Sequence, residues 1–379
     1  MTKSIGEVCR IIGGGTPSKK NPHYYEGSIP WASVRDMNVR VIKTTEYSIT
    51  EEALRKSATN LIPAGEVVIS THVGLGKVCV LGQDTAINQD LKAVIPSDDS
   101  LSRWYLYYWF LSKADILVAN GKGATVKGVT VDFVKGLKLP IRERHEQDQI
   151  VKILDAIHLV IESSELELCK LDQLVKSRFV EMFGDLNVNP KRWLTDMLGR
   201  VCDVRDGTHA SPVYCDVGYP LMTSKNFANG YEDFSGVKLI SEEEFLEINK
   251  RSKVDVGDIV MPMIGTIGHP VIARVERAYA IKNVALIKFR EASPCNVYVK
   301  TVLESSYFER AVAGTSRGNT QKFIALGDIR SFVLPLPPLA LQREFAVFVA
   351  EVDKSEFAIR KRLEKARLLY RAKLQEFFG

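Results

Sequence analysis

The sequence predicts an α+β protein in which two similar globular domains are joined by two long helices that pair as an antiparallel coiled coil. Three observations predict this fold. Two helical segments of equal length, 150–184 and 345–379, align with each other without a gap. The chain before each segment repeats as well, and it consists of short apolar runs between glycine and proline turns. A globular domain followed by a long helix is therefore present twice, as an internal repeat with pseudo-twofold symmetry.

The first domain, residues 1–143, is expected to contain short strands interrupted by helical pieces. Runs such as 67–69 and 78–80 have high strand propensity, but their irregular spacing does not specify a sheet topology. The second domain, residues 196–339, repeats this organisation in five matching segments: 5–9 with 198–202, Gly15-Thr16 with Gly207-Thr208, 65–68 with 257–260, 123–127 with 318–322, and 139–140 with 334–335.

The central helix, residues 144–184, and the C-terminal helix, residues 340–379, carry apolar side chains at alternating four-residue and three-residue steps. Such spacing places these side chains along one seam of a coiled coil. Forty helical residues extend about 60 Å, which is longer than a core helix requires. The seam is formed by Ile150, Leu154, Ile157, Leu168, Leu171, Val349, Val352, Ile359, Leu363 and Leu374.

The two helices also carry opposite charge. Residues 145–184 have four Lys or Arg against eight Asp or Glu, net −4, whereas residues 340–379 have nine against six, net +3. Opposite charges beside the seam favour pairing of the two helices with each other. The linker, residues 185–195, has a turn composition that returns the chain to its second start, so we expect an antiparallel pair with one domain at each end.

Composition limits the function. A length of 379 residues and 45% hydrophobic residues suit two folded domains, and the net charge of +5 permits a polyanionic ligand without demanding one. The six cysteines stand singly, without the spacing of a zinc site or a redox pair. The sequence contains neither an export signal nor an apolar run of membrane-spanning length, so a cytoplasmic protein without membrane contact is expected.

Motifs for catalysis are scarce. Residues 21–24, Asn-Pro-His-Tyr, differ by one residue from the Asn-Pro-Pro-aromatic signature of enzymes that methylate exocyclic amino groups of bases, but no Rossmann-like sheet can precede them. No Walker sequence occurs, and the six histidines have no metal-ligand spacing. The pattern therefore predicts a protein that recognises and positions, without a catalytic site, a metal or a cofactor.

The chain resembles the specificity subunit of type I restriction-modification systems. The resemblance is carried by residues 14–18 (Gly-Gly-Thr-Pro-Ser) followed by 27–31, and by the divergent second copy of this pattern at 206–212 followed by 218–221. It is also carried by the Leu-Pro-Leu-Pro-Pro-Leu-Ala-Leu-Gln run at 334–342 that leads into a long helix. It covers essentially the whole chain. The second copy departs from the first, with Asp206-Gly207-Thr208-His209 in place of 14–17, so we expect its loop to be shaped differently.

The resemblance implies that each domain is a target-recognition domain that reads one half of an interrupted site on double-stranded DNA, with the helices setting the gap. It implies two modification subunits, which carry S-adenosylmethionine and methylate adenine, and restriction subunits, which associate indirectly and cleave DNA using ATP. The chain itself would bind neither cofactor.

Loop residues are the candidate DNA contacts. Lysines and short hydroxyls suit phosphates, while Arg, Asn and Gln can contact base edges. Lys127 and Lys322 both follow a Gly-x-Thr turn in their respective copies. The candidates are Thr16, Ser18, Lys19, Lys20, Arg35, Lys77 and Lys127 in the first half, and Arg205, Thr208, His209, Lys225, Asn226, Arg317, Asn319 and Lys322 in the second.

Two alternatives from other classes remain. One is a stand-alone DNA-modifying enzyme similar to an adenine methyltransferase, for which residues 21–24 are the only lead. The other is a coiled-coil adaptor that binds only proteins.

Overall fold

The computed structural model describes residues 1–123, 128–228, 230–263, 269–313 and 324–379. Two compact units divide the chain: the first comprises Met1–Leu166 and Ile359–Gly379, and the second comprises Glu167–Ala358. Both units mix helices and sheets, which confirms the predicted α+β class. Each long helix contributes one half to each unit, whereas the sequence-based division kept the helices apart from the domains.

The first unit contains strands β1 to β11 and helices α1 to α5, followed by the long helix α6. Its strands are Thr2–Ser4, Cys9–Gly13, Ile29–Ala32, Val41–Ile42, Tyr47–Ile49, Asn60–Ile62, Val67–Ser70, Val78–Leu81, Thr85–Ile87, Leu91–Pro96 and Lys138–Pro140. Its helices are Ile5–Val8, Glu51–Lys56, Arg103–Ser112, Ala114–Ala119, Val131–Gly136 and Arg144–Phe183.

Three sheets build this unit. Their strand orders are β2-β10-β7-β8-β4, β5-β3-β9-β6 and β1-β11. The apolar strands β7 and β8 are buried along their whole length and pack beneath α3. Helix α3 is aromatic on nearly every side, and its Tyr105, Tyr108, Trp109 and Phe110 are fully buried, so the helix forms the centre of the core.

The second unit repeats this plan with strands β12 to β21 and helices α7 to α11, followed by the long helix α12. Its strands are Leu194–Met197, Asp203–Asp206, Tyr214–Cys215, Tyr219–Met222, Lys238–Ile240, Ile259–Pro262, Val271–Ile272, Ala280–Ile281, Val284–Lys288 and Val333–Leu336. Its helices are Leu198–Val201, Glu242–Ser252, Asn296–Leu303, Ser306–Ala313, Leu326–Ser331 and Leu339–Phe378.

Most of the sheet pairing of the first unit recurs in the second, where the described main sheet has four strands instead of five and β14 is added at the edge of the second sheet. The strand orders are β13-β20-β17-β18, β14-β16-β15-β19 and β12-β21. The parallel pairing of Trp31 with Ala86 in the first unit has its counterpart in that of Leu221 with Ala280 in the second. Short terminal sheets, β1-β11 and β12-β21, close each copy beside the start of a long helix.

The long helices pair antiparallel within each unit. In the first unit, Ile150 and Leu154 near the start of α6 share a core with Phe378 at the end of α12. In the second unit the order is reversed, because Phe179 and Phe183 near the end of α6 pack with Phe345 near the start of α12, at ring-centroid distances of 5.5 Å. All ten seam residues named above are buried or half-buried.

Opposite charges flank this pairing. Arg367 of α12 lies 2.7 Å from Glu165 of α6 in the first unit, and Arg178 of α6 lies 3.2 Å from Glu344 of α12 in the second. The seam residue Ser164 is fully buried, and its hydroxyl accepts a hydrogen bond of 3.1 Å from Arg362 Nε.

Both long helices end close to their predicted limits. Helix α6 ends at Phe183 because Gly184 adopts a φ of +79°, the left-handed conformation that terminates helices. The linker then packs against this end: Trp193 Nε1 donates to the Phe183 carbonyl at 2.9 Å, and Lys191 Nζ donates to the Met182 carbonyl at 2.8 Å. No helix in the described parts of the chain is both long and apolar enough to span a bilayer.

Candidate nucleic-acid interface

A glycine loop leaves the first strand of the main sheet in each domain: residues 13–20 in the first and 206–212 in the second. Two consecutive amides of each loop donate to equivalent strand carbonyls at 3.0–3.3 Å: Gly14 to Leu91 and Gly15 to Ile87 in the first, Gly207 to Val284 and Thr208 to Ile281 in the second. Gly14 therefore corresponds to Gly207, and Thr16 corresponds to His209.

This correspondence corrects two expectations. The predicted match of Gly15-Thr16 with Gly207-Thr208 is wrong by one residue. It relied on the identical Gly-Thr pairs, whereas the backbone hydrogen bonds align Gly14 with Gly207. The expected difference in loop shape is absent from these two amides and begins at the next carbonyls: that of Gly15 accepts from Trp31 Nε1 at 3.2 Å, whereas that of Thr208 accepts from the Asn283 amide at 3.2 Å. A Cβ atom on Gly14 would lie 2.2 Å from the Ile87 carbonyl oxygen and one on Gly207 would lie 2.4 Å from that of Ile281, so both positions require glycine.

The first glycine loop presents an exposed polar edge. The Thr16 hydroxyl donates to Oε1 of Gln89, in the turn between β9 and β10. Ser18, Lys19 and Lys20 follow and are exposed. This part of the loop therefore places two lysine side chains and a hydroxyl in reach of a ligand.

A second loop carries Arg35 in the first domain and Lys225 in the second. Each residue sits in a short 3₁₀ turn, Val34–Asp36 or Ser224–Phe227, and is exposed. In the first turn, Asp36 Oδ2 accepts from the Ser33 amide at 2.8 Å. These turns are equivalent, so Arg35 corresponds to Lys225.

Asn226 has a structural role in the second of these turns. Its Oδ1 accepts from the Thr223 amide at 2.9 Å, as Asp36 does in the first domain, and its Nδ2 donates to the Asp233 carbonyl at 3.0 Å. Both polar atoms of the side chain are thus engaged within the domain. Lys225, one residue earlier, is the exposed group of this turn.

Two charged candidates of the first domain, Arg35 and Lys77, are held by neighbouring side chains. Arg35 lies 3.1 Å from Glu46, and the hydrogen bond with that carboxylate raises the pKa of Arg35. Lys77 is half-buried, and its Nζ donates to Asn38 Oδ1 at 2.6 Å and to the Val34 carbonyl at 3.4 Å. Lys77 therefore supports the turn that presents Arg35.

Two candidates of the second domain are held by their own neighbours, and Arg205, expected in a loop, lies on strand β13. Arg205 pairs with Asp203 at 2.6 Å and donates to the Arg251 carbonyl at 2.8 Å. The Thr208 hydroxyl accepts from the Ala210 amide at 3.1 Å. These contacts hold Arg205 along the strand and leave Thr208 half-buried beneath the loop.

His209 lies at the exposed tip of this network. Its Nε2 is 2.8 Å from Asp206 Oδ2, and its Nδ1 is 2.8 Å from Asn283 Oδ1. Asp206 also forms an ion pair with Arg251. The hydrogen bond with Asp206, and then that with Asn283, raises the pKa of His209.

Four candidates, Lys127, Arg317, Asn319 and Lys322, lie outside the described residues. Beyond them, two described residues make alike contacts in the two copies: the Val129 amide donates to the Thr71 carbonyl at 2.9 Å, and the Ile324 amide donates to the Met263 carbonyl at 3.0 Å.

Sequence reasoning missed two pairs of residues. Gln89 and Asn283 contact the glycine loops. The one-residue error in the predicted loop alignment concealed that both contact the same loop position, Thr16 or His209. Gln147 and Gln342 are buried at equivalent places near the starts of α6 and α12, where they bond the domain backbone. A buried glutamine at the same position of both aligned helices was visible in the sequence as an identity within the repeat.

The one catalytic lead in the sequence, residues 21–24, lies at a turn. Residues 21–24 overlap the 3₁₀ turn Pro22–Tyr25, where His23 lies 3.0 Å from Glu26. Within the described ranges, no group of three or more His, Cys, Asp or Glu side chains is arranged to hold a metal ion. Burial raises the pKa of both Cys9 and Cys202 to about 12, so these two thiols pack as apolar groups.

Comparisons with known proteins agree with this arrangement. Residues 1–171 match the family described as type I restriction modification DNA specificity domain. The specificity subunit of the Escherichia coli type I restriction enzyme EcoR124I/EcoR124II is 38% identical over 191 residues, which are 48% of this chain and 47% of that protein, so the match spans about half of that relative's length. The MjaIX specificity subunit of Methanocaldococcus jannaschii is 22% identical over 374 residues, covering 90% of this chain and 84% of that protein.

Solved structures extend the likeness of fold to the full length. The S subunit of a type I restriction-modification system from M. genitalium has a TM-score of 0.61 at 14% identity, covering 100% of this chain and 96% of that one. A chain from a structure of type I restriction-modification complex assembly has a TM-score of 0.59 at 19% identity, with 100% and 97% coverage. By the matching domain and the named relatives, the chain is similar to the specificity subunits of type I restriction-modification systems, and the solved structures show that it shares their fold.

Proposed function

We propose that this chain is the DNA-recognition subunit of a cytoplasmic type I restriction-modification complex and reads a bipartite double-stranded site, one half-site per domain. One observation carries the proposal: the two domains hold their loops with the same backbone hydrogen bonds but present different polar side chains. Thr16 in the first domain is replaced by His209 in the second, and Arg35 is replaced by Lys225. A scaffold kept constant while its exposed polar groups change is what reading two different half-sites requires.

The chemistry of the loops supports DNA as the ligand. Lys19, Lys20, Arg35 and Lys225 are exposed cations on loops that end strands, where they can neutralise phosphates. Arg35 can in addition form two parallel hydrogen bonds with a guanine edge, a contact that a lysine makes less specifically. The formal net charge of only +5 fits a subunit that binds DNA together with partner subunits.

The long helices are proposed to set the spacing between half-sites and to dock two modification subunits. Continuity of α6 and α12 from one unit into the next supports the spacing role. Exposed apolar side chains along both helices support docking, since a solvated helix face is normally polar. They include Leu159, Leu166 and Val180 on α6, and Val347 and Leu368 on α12. Restriction subunits would associate indirectly, through the modification subunits.

Half-site selection tests the proposal. The full chain, reconstituted with its modification subunits, selects duplexes from a pool in which a long central segment is randomised, and the bound DNA is sequenced. The wild-type complex should enrich two short sequences at a fixed separation. Arg35→Ala should relax one of them and Lys225→Ala the other. Lys152→Ala, which removes an exposed charge from α6 outside the loops, is the matched control and should leave both unchanged.

Either of two results would contradict independent domains: equal relaxation of both half-sites by each loop variant, or enrichment of one uninterrupted sequence. The alternatives have distinct outcomes as well. A stand-alone enzyme would methylate DNA when the purified chain alone receives S-adenosylmethionine, whereas we expect no transfer. A protein-only adaptor would bind the modification subunits but would not retard random-sequence DNA in a gel, even with those subunits present.

A further inference from the structure

One amide side chain in each domain is held by the glycine loop. Gln89 lies in the turn between β9 and β10, and its Oε1 accepts from the Thr16 hydroxyl. Asn283 lies in the turn between β19 and β20, and its Oδ1 is 2.8 Å from His209 Nδ1. The flanking strands pair alike in both domains, so Gln89 and Asn283 lie in corresponding turns, which have three residues in the first domain and two in the second.

These interactions occupy the carbonyl oxygen of each side-chain amide and leave its NH2 group available to donate to a ligand. When the carbonyl oxygen is occupied, the amide nitrogen remains as a hydrogen-bond donor. The Gln89 Nε2 donates at 3.3 Å to Asp90 Oδ2, which leaves its second N–H. A fixed donor beside exposed basic residues suits an acceptor on a base edge, such as guanine O6 or N7, adenine N7 or thymine O4.

The partner in the second domain is a charged ring. Both nitrogens of His209 face acceptor oxygens at 2.8 Å, those of Asp206 and Asn283, so the doubly protonated imidazolium satisfies both. The other charges nearby are the guanidinium of Arg251, which pairs with Asp206, and the ammonium of Lys282, which donates to Ser211 Oγ at 3.2 Å. The carboxylate of Asp206 favours the cation and Arg251 opposes it, and the net effect is a raised pKa for His209.

We propose that Gln89 and Asn283 are equivalent specificity-determining residues, one for each half-site, and that Thr16 and the imidazolium of His209 are the residues that position them. The proposal rests on the proposed function and names the groups through which it acts. Thr16 cannot titrate in the accessible range, whereas His209 can. The two domains therefore differ in their response to pH, and the first serves as an internal control for the second.

Loss of the His209 proton has a defined geometric consequence. The carboxylate of Asp206 can only accept, so it retains the proton on Nε2, and Nδ1 becomes a bare acceptor opposite Asn283 Oδ1. Two acceptors 2.8 Å apart repel each other, and rotation of the amide by half a turn replaces the repulsion with an Nδ2–H donor to the ring. Asn283 then presents its oxygen to the DNA, so the base preferred at that position should change from one with an acceptor to one with a donor.

The selection from a randomised duplex pool is repeated at about pH 6 and about pH 9, on either side of histidine titration. For the wild-type complex, one position of one half-site should change its preferred base between the two pools, and the other half-site should be constant. Asn283→Ala should reduce discrimination at that same position by about tenfold at the lower pH, the loss expected for one good base contact. Gln89→Ala should do so at one position of the other half-site at both pH values.

Two further variants isolate the positioning role. His209→Thr copies the first domain and should abolish the change of preferred base between the two pH values. His145→Gln removes an exposed histidine from the start of α6 and should retain the wild-type response. Unchanged half-sites with Asn283→Ala and Gln89→Ala would overturn the proposal, as would the same pH response in both half-sites or its persistence in His209→Thr.

A measurement without DNA separates this proposal from the proposed function. In proton NMR spectra of the free chain, the His209 ring signals are identified by their absence from the His209→Thr spectrum. They should titrate with a pKa above the ordinary histidine value of about 6.5. Asp206→Asn should move that titration down. A titration at or below the ordinary value overturns the positioning role whatever the DNA result. A raised titration in a complex that enriches no sequence contradicts the proposed function and, with it, the contact roles.

Discussion

Replacing Gln147 by leucine should destabilise the first unit by about 2–3 kcal/mol, because the glutamine joins the start of α6 to the domain backbone. Its side chain is 1% exposed. Its Oε1 accepts from the Ser102 amide at 2.8 Å, and its Nε2 donates to the carbonyls of Ser100 and Arg142 at 2.8 and 2.9 Å. Leucine keeps the volume and the helix propensity but forms none of these bonds.

The expected loss of stability depends on which backbone groups lose their hydrogen-bond partner. The Ser102 amide is buried and would be left unsatisfied, at a cost of about 1–3 kcal/mol. The Ser100 and Arg142 carbonyls belong to exposed and half-exposed residues, so water can replace much of their loss. For a unit of this size, about 2–3 kcal/mol corresponds to a fall in melting temperature of roughly 5–10 °C.

Gln342→Leu is the matched experiment in the second unit. Gln342 accepts from the Cys295 amide at 2.8 Å and donates to the Pro337 carbonyl at 2.7 Å. Gln173→Leu, at an exposed position of α6, is the control and should change stability by less than about 0.5 kcal/mol. Calorimetry gives the melting temperature, and hydrogen exchange followed by mass spectrometry assigns the loss to one set of strands.

The expected pattern is selective. Gln147→Leu should speed exchange in β2, β7 and β10 and leave β13, β17 and β20 protected, and Gln342→Leu should do the reverse. Melting temperatures within 1 °C or so of the control would refute the assignment of these glutamines as joints between helix and domain.

Three further outcomes are expected. Lys77→Met should weaken recognition of the half-site read through Arg35 without affecting the other, because Lys77 supports the turn Val34–Asp36 through the Val34 carbonyl. Selection from the randomised pool would detect the difference. At about pH 8, alkylation followed by mass spectrometry should find Cys169 modified in the native chain and Cys9 only after unfolding, since a pKa of about 12 leaves on the order of one thiolate in ten thousand for Cys9. Insertion of one heptad into both long helices should lengthen the spacer between enriched half-sites, and an unaltered spacer would exclude the helices as the ruler.

The long helices were predictable because their signals are local and dense. Helix α6 was expected over 144–184 and spans Arg144–Phe183, and α12 was expected over 340–379 and spans Leu339–Phe378. Seam periodicity, opposite charges and a terminal glycine all indicate a long paired helix within a single window of sequence. The sheets gave no comparable signal, because the partner of a short strand is chosen by contacts distant in sequence, as when β2 pairs with β10.

The loops show why candidate contacts were harder to assign. Asn226 was expected to contact DNA, but it occupies the capping position of its turn, as Asp36 does in the first copy. The pattern Ser-x-x-Asp against Thr-x-x-Asn is visible in the sequence and could have identified the cap. The role of Gln89 could not have been found that way, because its contact with Thr16 depends on how two separate loops meet in space.

The glycine loops keep the same backbone in both copies, while the side chains beside the glycine differ. Gly14 and Gly207 donate to equivalent strand carbonyls and cannot accept a side chain, so mutation at this point would damage the loop in either copy. One residue before the glycine, the first domain has Gly13 and the second has Asp206. Two residues after it they have Thr16 and His209, and the aspartate and histidine of the second copy bond each other. Each partner loses one of its two bonds when the other is absent, so we expect the two substitutions to depend on each other. His209→Thr in the second domain should leave Asp206 with only Arg251. In the first domain, Gly13→Asp should be tolerated better when Thr16→His accompanies it. A double-mutant cycle on the stability of the first unit measures that coupling, and additive effects would show that the two positions changed independently.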